Sequence, residues 1–143
     1  MRKLLTLCLL AVTMCAAAQE QVQSKRVAVP EIVDKTGQVQ DTIKQMLQNS
    51  LIYAVARTPG YECIDMSNNI QDGNQTIKRA SYLLIAEIIP FKGDCVMVSA
   101  SLLDAETAQL INAIPTTIVS TQNLEKLKET FSQIVKKLLF PED

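Results

Sequence analysis

The sequence predicts an α+β domain: a single mixed, mostly antiparallel sheet of about five strands with two amphipathic helices packed on one face. Two segments repeat apolar residues with the helical period of 3.6, and the remaining ordered segments are short β-branched runs or alternate polar and apolar residues. Their order is β-α-β-β-β-β-α. The strand–helix–strand opening favours a right-handed parallel pair, and one sheet with both helices on one face is the simplest way to bury both apolar stripes.

The N-terminus has the organisation of a cleavable signal peptide. Arg2 and Lys3 form a basic head, an apolar run of about eleven residues follows, and Ala16 and Ala18 supply the small residues that a signal peptidase requires. That run is shorter than the ~20 residues needed to cross a bilayer. We therefore expect residues 1–18 to be a signal peptide, residues 19–25 a flexible lead-in and residues 26–140 a single domain.

Lipidation of Cys15 is the alternative fate of this N-terminus. The residue before it, Met14, is bulky where a lipoprotein signal requires a small side chain. Cleavage after Ala18, with release into the periplasm or the medium, is therefore expected, and an outer-membrane lipoprotein is the alternative. We expect no transmembrane segment after signal cleavage, because no later segment is sufficiently long and apolar.

The first half of the domain begins with a strand at Arg26–Val33, with Val27, Val29 and Ile32 directed inward. A helix follows and ends at Thr58-Pro59-Gly60, and Asp41 is expected to cap its start. Its apolar stripe consists of Ile43, Met46, Leu47, Ser50, Leu51, Ala54 and Val55. Its opposite face consists of Lys44, Gln45, Gln48 and Asn49.

The second half continues with a strand at Tyr61–Met66 and a polar loop at Ser67–Thr76. A strong strand is predicted at Tyr82–Phe91, and after a turn at residues 92–94 the strand Cys95–Leu103 alternates between its two faces. Their inward faces are Leu84, Ala86 and Ile88 on the first and Val96, Val98, Ala100 and Leu102 on the second.

The domain closes with a strand and a helix. Residues 104–108 form a turn, and the strand Gln109–Val119 contains Pro115, which favours an edge position or a bulge. The helix has Thr121 or Asn123 as its cap, and Pro141 ends it. Its apolar stripe consists of Leu124, Leu127, Phe131, Ile134, Val135 and Leu138.

The composition argues against most catalytic chemistry. The chain contains no histidine, which excludes the usual general base, and its four glycines are isolated, so no phosphate-binding loop is present. We expect no catalytic residue, metal or cofactor. The net charge is −1 and no basic run contains interleaved aromatics, so nucleic-acid binding is not expected.

The acidic residues and the cysteines have ordinary structural interpretations. Asp104 and Glu106 lie in the predicted turn, and Glu87 is expected to lie on an exposed sheet face or to pair with a lysine such as Lys78. Cys63 and Cys95 remain after signal cleavage. An oxidising compartment permits a disulfide between them, and two buried strand cysteines are the alternative.

Three motifs resemble a CsgG-like envelope family that includes LpoB-type activators of penicillin-binding proteins and is similar in fold to the TolB N-terminal domain. The first is the opening from Arg26-Val27-Ala28-Val29-Pro30 through Asp34-Lys35-Thr36-Gly37 to the helix end at Thr58-Pro59-Gly60-Tyr61. The others are Tyr82-Leu83-Leu84-Ile85-Ala86-Glu87 and the strand–turn–strand segment 102–110. The resemblance implies that Asp104 and Thr107 tie that turn.

The chain departs from the pattern of this family at two places. Ala108 stands where the family usually has glycine, and alanine tolerates positive φ poorly, so the turn is expected to differ. Residues 67–80 are too few for most of the helical segment that usually lies there. The hairpins of the curli secretion channel are absent, so a pore is not expected.

These observations predict an exported, non-enzymatic envelope domain that binds another envelope protein as an adaptor or activator, with a link to cell-wall synthesis or outer-membrane assembly. It would use a sheet edge or the loop residues Asn68, Asn69, Asp72 and Asn74. The alternative is a small-ligand or glycan-binding module built on Glu87, Ser99 and Ser101, which requires a concave pocket there. A carboxylate-based envelope hydrolase is the third hypothesis.

Overall fold

The computed structural model describes residues 24–67 and 79–140. The predicted signal peptide, most of the lead-in and nearly all of the 67–78 loop lie outside these ranges. The elements are β1 (Lys25–Val29), β2 (Val33–Asp34), α1 (Asp41–Ala56), β3 (Tyr61–Asp65), β4 (Tyr82–Pro90), β5 (Cys95–Asp104), β6 (Leu110–Ser120) and α2 (Leu124–Leu139).

These strands form one mixed sheet in the order β3-β1-β4-β5-β6, with the short β2 beside β4. The pairings of β1 with β3 and with β4 are parallel, and β4, β5 and β6 form the antiparallel ribbon. The predicted α+β class is therefore confirmed. Including β2, the described residues contribute six strands to this sheet.

The predicted strand at Arg26–Val33 is wrong as one element. Proline lacks a backbone N–H, and Pro30 ends β1 instead of continuing the ladder. The chain resumes as β2 further along the same neighbour: Val27 of β1 pairs with Tyr82, whereas Val33 of β2 pairs with Glu87. The interruption displaces residues 30–32 out of the ladder while Ile32 remains buried.

The core lies between one face of the sheet and both helices, which also contact each other. Leu84 and Ile88 of β4 are fully buried there, and the predicted inward faces of β4 and β5 are both confirmed. Burial of each large apolar side chain contributes about 1.5–3 kcal/mol, so these stripes dominate the stability of the domain. The helical residues of this core are Leu47, Leu51 and Val55 of α1 and Leu127, Phe131, Ile134, Val135, Leu138 and Leu139 of α2.

Two details of α1 differ from the prediction. Gln40, not Asp41, is the N-cap residue, and its side chain makes no capping bond. Asp41 lies in the first helical turn, where its carboxylate is 3.1 Å from the ammonium of Lys44. Gln48, predicted on the solvent face, is buried. Its side-chain amide makes hydrogen bonds to the backbone at the break after β1. The end of the helix at Thr58-Pro59-Gly60 is as predicted, with Gly60 at φ 82°.

Helix α2 is held at both ends. The side chain of Asn123 accepts a hydrogen bond from the Lys126 N–H at 3.0 Å, which confirms the predicted cap. At the other end, Tyr61 of β3 donates to the Leu139 carbonyl at 3.1 Å and Asn112 of β6 donates to the Leu138 carbonyl at 3.2 Å. The two edge strands therefore both bind the last turn of the same helix. None of the helices described is long and apolar enough to cross a membrane.

Candidate interaction surface

The face of the sheet that points away from the helices brings together three of the predicted site residues. Side chains alternate between the faces of a strand, so Glu87 lies opposite its buried neighbours Ala86 and Ile88. Ser99 is paired with Glu87 in register, and Ser101 is paired with Ile85 one step along. The prediction that Glu87, Ser99 and Ser101 share this outer face is consistent with the register.

Glu87 is held by a lysine. Its carboxylate is 3.1 Å from the ammonium of Lys35, which lies directly after β2. The predicted candidate, Lys78, lies outside the described residues. The Glu87 side chain is 30% exposed, and its position between Ile85 and Ile89 gives the outer face one charge in an otherwise apolar row. This ion pair links β4 to the residue that follows β2.

The two best-formed concavities on the described part of the chain are not lined by Glu87, Ser99 or Ser101. The larger, about 480 Å³, lies between the start of α1, the β4–β5 hairpin and the start of α2, with Ile43, Phe91 and Leu127 in its wall. The smaller, about 270 Å³, lies beside Gln48 and Asp65. Neither of these concavities is the pocket around Glu87 that the glycan-binding alternative requires.

The carboxylates of the β5–β6 turn have a structural role. The carboxylate of Asp104 accepts hydrogen bonds from the N–H groups of Glu106 and Thr107 at 2.9 and 2.8 Å, and these bonds lower its pKa. Asp104 therefore ties the turn, as the resemblance implied. The turn ends at Ala108 with φ 57°, so alanine adopts the conformation expected of glycine instead of changing the turn. No group of three metal-ligating residues exists in residues 24–67 and 79–140.

The Cys63–Cys95 disulfide is not formed, and both cysteines are free. Cys63 lies on β3 and Cys95 begins β5, with β1 and β4 between them. Three strand spacings amount to about 14 Å, whereas a disulfide needs Cα atoms within about 7 Å. Cys63 contacts the core, and burial first, then the charge of Asp65, raise the pKa of its thiol to about 11.

The strand β6 is the feature of this molecule that most resembles a binding site. It pairs with β5 on one side, and in the described part of the chain no strand pairs with its other side. Leu110, Ile111 and Ile118 are 62%, 49% and 53% exposed. The eleven residues Leu110–Ser120 contain no charged side chain. A long, uncharged, apolar edge strand is the kind that other strands pair with.

The register identifies which backbone groups of β6 face outward. The N–H of Thr121 donates to the Asp94 carbonyl, so this pair is hydrogen-bonded. Bonded and non-bonded pairs alternate along an antiparallel ladder, which makes Cys95–Ser120 and Met97–Ile118 non-bonded pairs. The N–H and C=O groups of Ile118 and Ser120 therefore point to the open edge.

Pro115 divides this edge into two stretches. The ladder shifts register between Val98–Thr117 and Ala100–Ile114, which places Pro115 and Thr116 in a bulge. Both sequence predictions for this proline, an edge position and a bulge, are confirmed. A sheet edge was predicted from the sequence, but not the strand that forms it; the absence of charge in residues 110–120 is the signal that could have identified β6.

The other edge strand, β3, is a poorer site for strand addition. It has five residues and carries Glu62 and Asp65, and charged side chains on an edge oppose pairing. Glu62 also pairs with Arg26 of β1 at 3.2 Å. The predicted loop residues Asn68, Asn69, Asp72 and Asn74 follow this strand and lie outside the described ranges.

No family model matches the sequence, and no curated protein matches it. Solved structures do share its fold. TolB from Acinetobacter baumannii is 15% identical, with a TM-score of 0.55 over 82% of this chain and 29% of TolB, so the chain spans less than a third of that protein. Lipoprotein GNA1162 from Neisseria meningitidis is 10% identical, with a TM-score of 0.51 over 82% of this chain and 99% of that one.

A PelC variant from Paraburkholderia phytofirmans, solved as a dodecamer, is similar as well. It is 18% identical, with a TM-score of 0.50 over 83% of this chain and 88% of that one. At these identities the likeness concerns the fold alone. The chain shares its fold with these three proteins, and the similarity to TolB expected from the sequence motifs is confirmed at the level of the fold.

Proposed function

We propose that this chain is an exported, non-enzymatic domain of the cell envelope that binds a protein partner by strand addition to the open edge of β6. The export signal predicted at residues 1–18 supports a location in the periplasm or outside the cell, with lipidation at Cys15 as the alternative. The resemblance to the CsgG-like and LpoB-like family suggests an adaptor or activator linked to cell-wall synthesis or outer-membrane assembly.

The observation that carries this proposal is the outward-facing backbone of Ile118 and Ser120 on an uncharged strand. Strand addition gains affinity from main-chain hydrogen bonds and specificity from the alternate side chains. The exposed side chain of Ile118 supplies an apolar contact next to those hydrogen bonds. An edge of this kind, left unpaired, is a liability for aggregation, so a bound strand is its simplest explanation.

The chemistry of the described residues supports a binding role over a catalytic one. Glu87 is paired with Lys35, and the carboxylates of Asp34 and Asp104 accept backbone hydrogen bonds in their own loops. Among the proteins that share the fold, one is named a lipoprotein and another was solved as a dodecamer. Both names are in keeping with a domain that works in an envelope assembly.

A photo-crosslinking residue at position 118 tests the proposal in cells that make the protein. Ile118 is exposed, so its replacement should not disturb the core. The matched control is position 53, where Tyr53 is 60% exposed on α1. We expect protein adducts from position 118 and not from position 53. Equal yields from both positions, or no adduct from position 118, would refute the proposal.

A further inference from the structure

We propose that the strand that pairs with β6 is β6 of a second copy of this chain. The pairing is antiparallel over residues 116–120, with a two-fold axis at Ile118. This inference rests on the proposed function and names the partner of the same edge. It predicts a dimer in which the two sheets continue into each other and both helical layers lie on one side.

Charge is the first reason to choose a second copy. In a two-fold pairing every residue faces residues of its own strand, so any charged side chain meets its own sign nearby. Strand β6 contains no charge over its eleven residues. Every other strand of the sheet carries at least one: Arg26 in β1, Asp34 in β2, Glu62 in β3, Glu87 in β4 and Asp104 in β5. Among the strands of residues 24–67 and 79–140, β6 alone satisfies the condition for self-pairing.

The position of Pro115 sets the part of the strand that pairs. Proline cannot donate a ladder hydrogen bond, and the bulge at residues 115 and 116 bends the edge. The stretch from Thr117 to Ser120 is the longest run of β6 with a regular register to β5, and the bulge residue Thr116 lies at its start. Its outward-facing backbone groups at Ile118 and Ser120 are two residues apart, as one side of an antiparallel ladder requires.

The two-fold axis at Ile118 follows from these outward groups. With the axis there, the N–H of each Ile118 donates to the carbonyl of the other, and Thr116 of one copy pairs with Ser120 of its partner. The two isoleucine side chains, each 53% exposed in the single chain, then cover each other on the outer face of the sheet. Long-range repulsion is small, since the net charge is −1 for the full chain and about −3 for a copy that has lost Arg2 and Lys3 with the signal peptide.

Sedimentation of the purified chain with charge variants tests this arrangement. The wild-type chain should sediment as a dimer at micromolar concentration. The variants Ile118→Lys and Ile118→Glu, each alone, place like charges across the axis and should weaken association at least tenfold. An equal mixture of the two should restore the dimer, because unlike charges then meet. Tyr53→Lys, an equally exposed position on α1, should leave the dimer unchanged.

The rescue separates a broken interface from a misfolded variant, because misfolded chains do not recover on mixing. A wild-type chain that stays monomeric at 100-fold higher concentration would overturn the inference, as would a mixture that behaves like its components. If position 118 then crosslinks to a different protein in cells, the second copy is excluded and the proposed function stands. If it crosslinks to nothing, both are excluded.

Discussion

The side chain of Gln48 makes hydrogen bonds to the backbone of Pro30 and Ile32, where the strand ladder between β1 and β2 is interrupted. Its carbonyl oxygen accepts from the Ile32 N–H at 3.0 Å, and its amide nitrogen donates to the Pro30 carbonyl at 3.0 Å. Gln48 is 95% buried on α1, so the helix and the break between β1 and β2 are fixed to each other. The strand β2 begins at the next residue, Val33, and it brings Lys35 within 3.1 Å of Glu87.

Replacing Gln48 should therefore be costly. Gln48→Ala leaves the buried N–H of Ile32 and the partly buried carbonyl of Pro30 without partners, and a buried group left in this way costs about 1–3 kcal/mol. We expect the free energy of unfolding to fall by about 2–3 kcal/mol, measured by urea denaturation. Asn49→Ala, on the exposed face of the same helix, is the control and should change it by less than about 0.5 kcal/mol. Equal effects of the two substitutions would contradict the role of Gln48.

Asp34 should make the domain sensitive to acid. Partial burial acts to raise the pKa of its carboxyl, but hydrogen bonds from Thr36 and Val39 outweigh it and lower that pKa below 3.8. Its stabilising contribution is therefore present above the unfolded-state pKa and is lost as the pH falls through the folded-state value. Asp34→Ala should cost about 1 kcal/mol at pH 7 and progressively less below pH 4.

Asp41→Ala is the matched control for that experiment, because Asp41 is almost fully exposed and makes only a surface ion pair with Lys44. It should change stability by less than about 0.5 kcal/mol at either pH. A cost for Asp34→Ala that does not depend on pH between 7 and 3 would contradict the assignment of these hydrogen bonds to the charged carboxylate.

Ala108 marks a turn that glycine would fit better. Alanine at φ 57° costs roughly 1–2 kcal/mol, which glycine would avoid. The greater chain entropy of glycine in the unfolded state offsets about 0.5–1 kcal/mol of that gain in stability. Ala108→Gly should raise the free energy of unfolding by about 0.5–1 kcal/mol in thermal or urea unfolding. Ala105→Gly, in the same turn without positive φ, should lower it. The opposite order of the two variants would refute the turn geometry.

The thiol of Cys63 should react slowly in the folded protein. Its pKa of about 11, against an ordinary value of 9.0, leaves about 100-fold less thiolate near pH 8, and the thiolate is the reactive form. Because burial favours the neutral thiol, the contribution of Cys63 to the free energy of unfolding is present below pH 9. It is lost as the pH rises from about 9 towards 11. Mass spectrometry of the alkylated Cys63 peptide, folded and in urea, measures the ratio. Equal rates in both states would contradict the burial of this thiol.

The local patterns of the sequence predicted most of the fold because they depend on near neighbours. The alternation in β4 and β5 and the apolar stripe of α2 report directly which side chains face the core. The break at Pro30 and the burial of Gln48 were not predicted, because both depend on where α1 lies against the interrupted ladder. A glutamine among polar neighbours gives no sign that a distant backbone needs its amide.

The candidate site was predicted only in part, for a similar reason. Alternation alone could place Glu87, Ser99 and Ser101 on one face. The lysine that pairs with Glu87 could not be identified, because Lys35 is brought there by the two-residue strand β2. The possible disulfide between Cys63 and Cys95 could not be decided from the sequence, because the strand order that separates them is set by tertiary packing. Pro115 did predict an edge, and the lack of charge beside it now identifies that edge as β6.

Hydrogen exchange at the Ile118 and Ser120 amides tests most directly whether the β6 edge binds a strand. The measurement compares the dilute, purified chain with the complex isolated from the cells that make it. We expect both amides to exchange fast in the dilute chain and at least tenfold more slowly in the complex, while the Tyr53 amide, inside α1, is unchanged. Identical rates for Ile118 and Ser120 in the two samples would contradict the account.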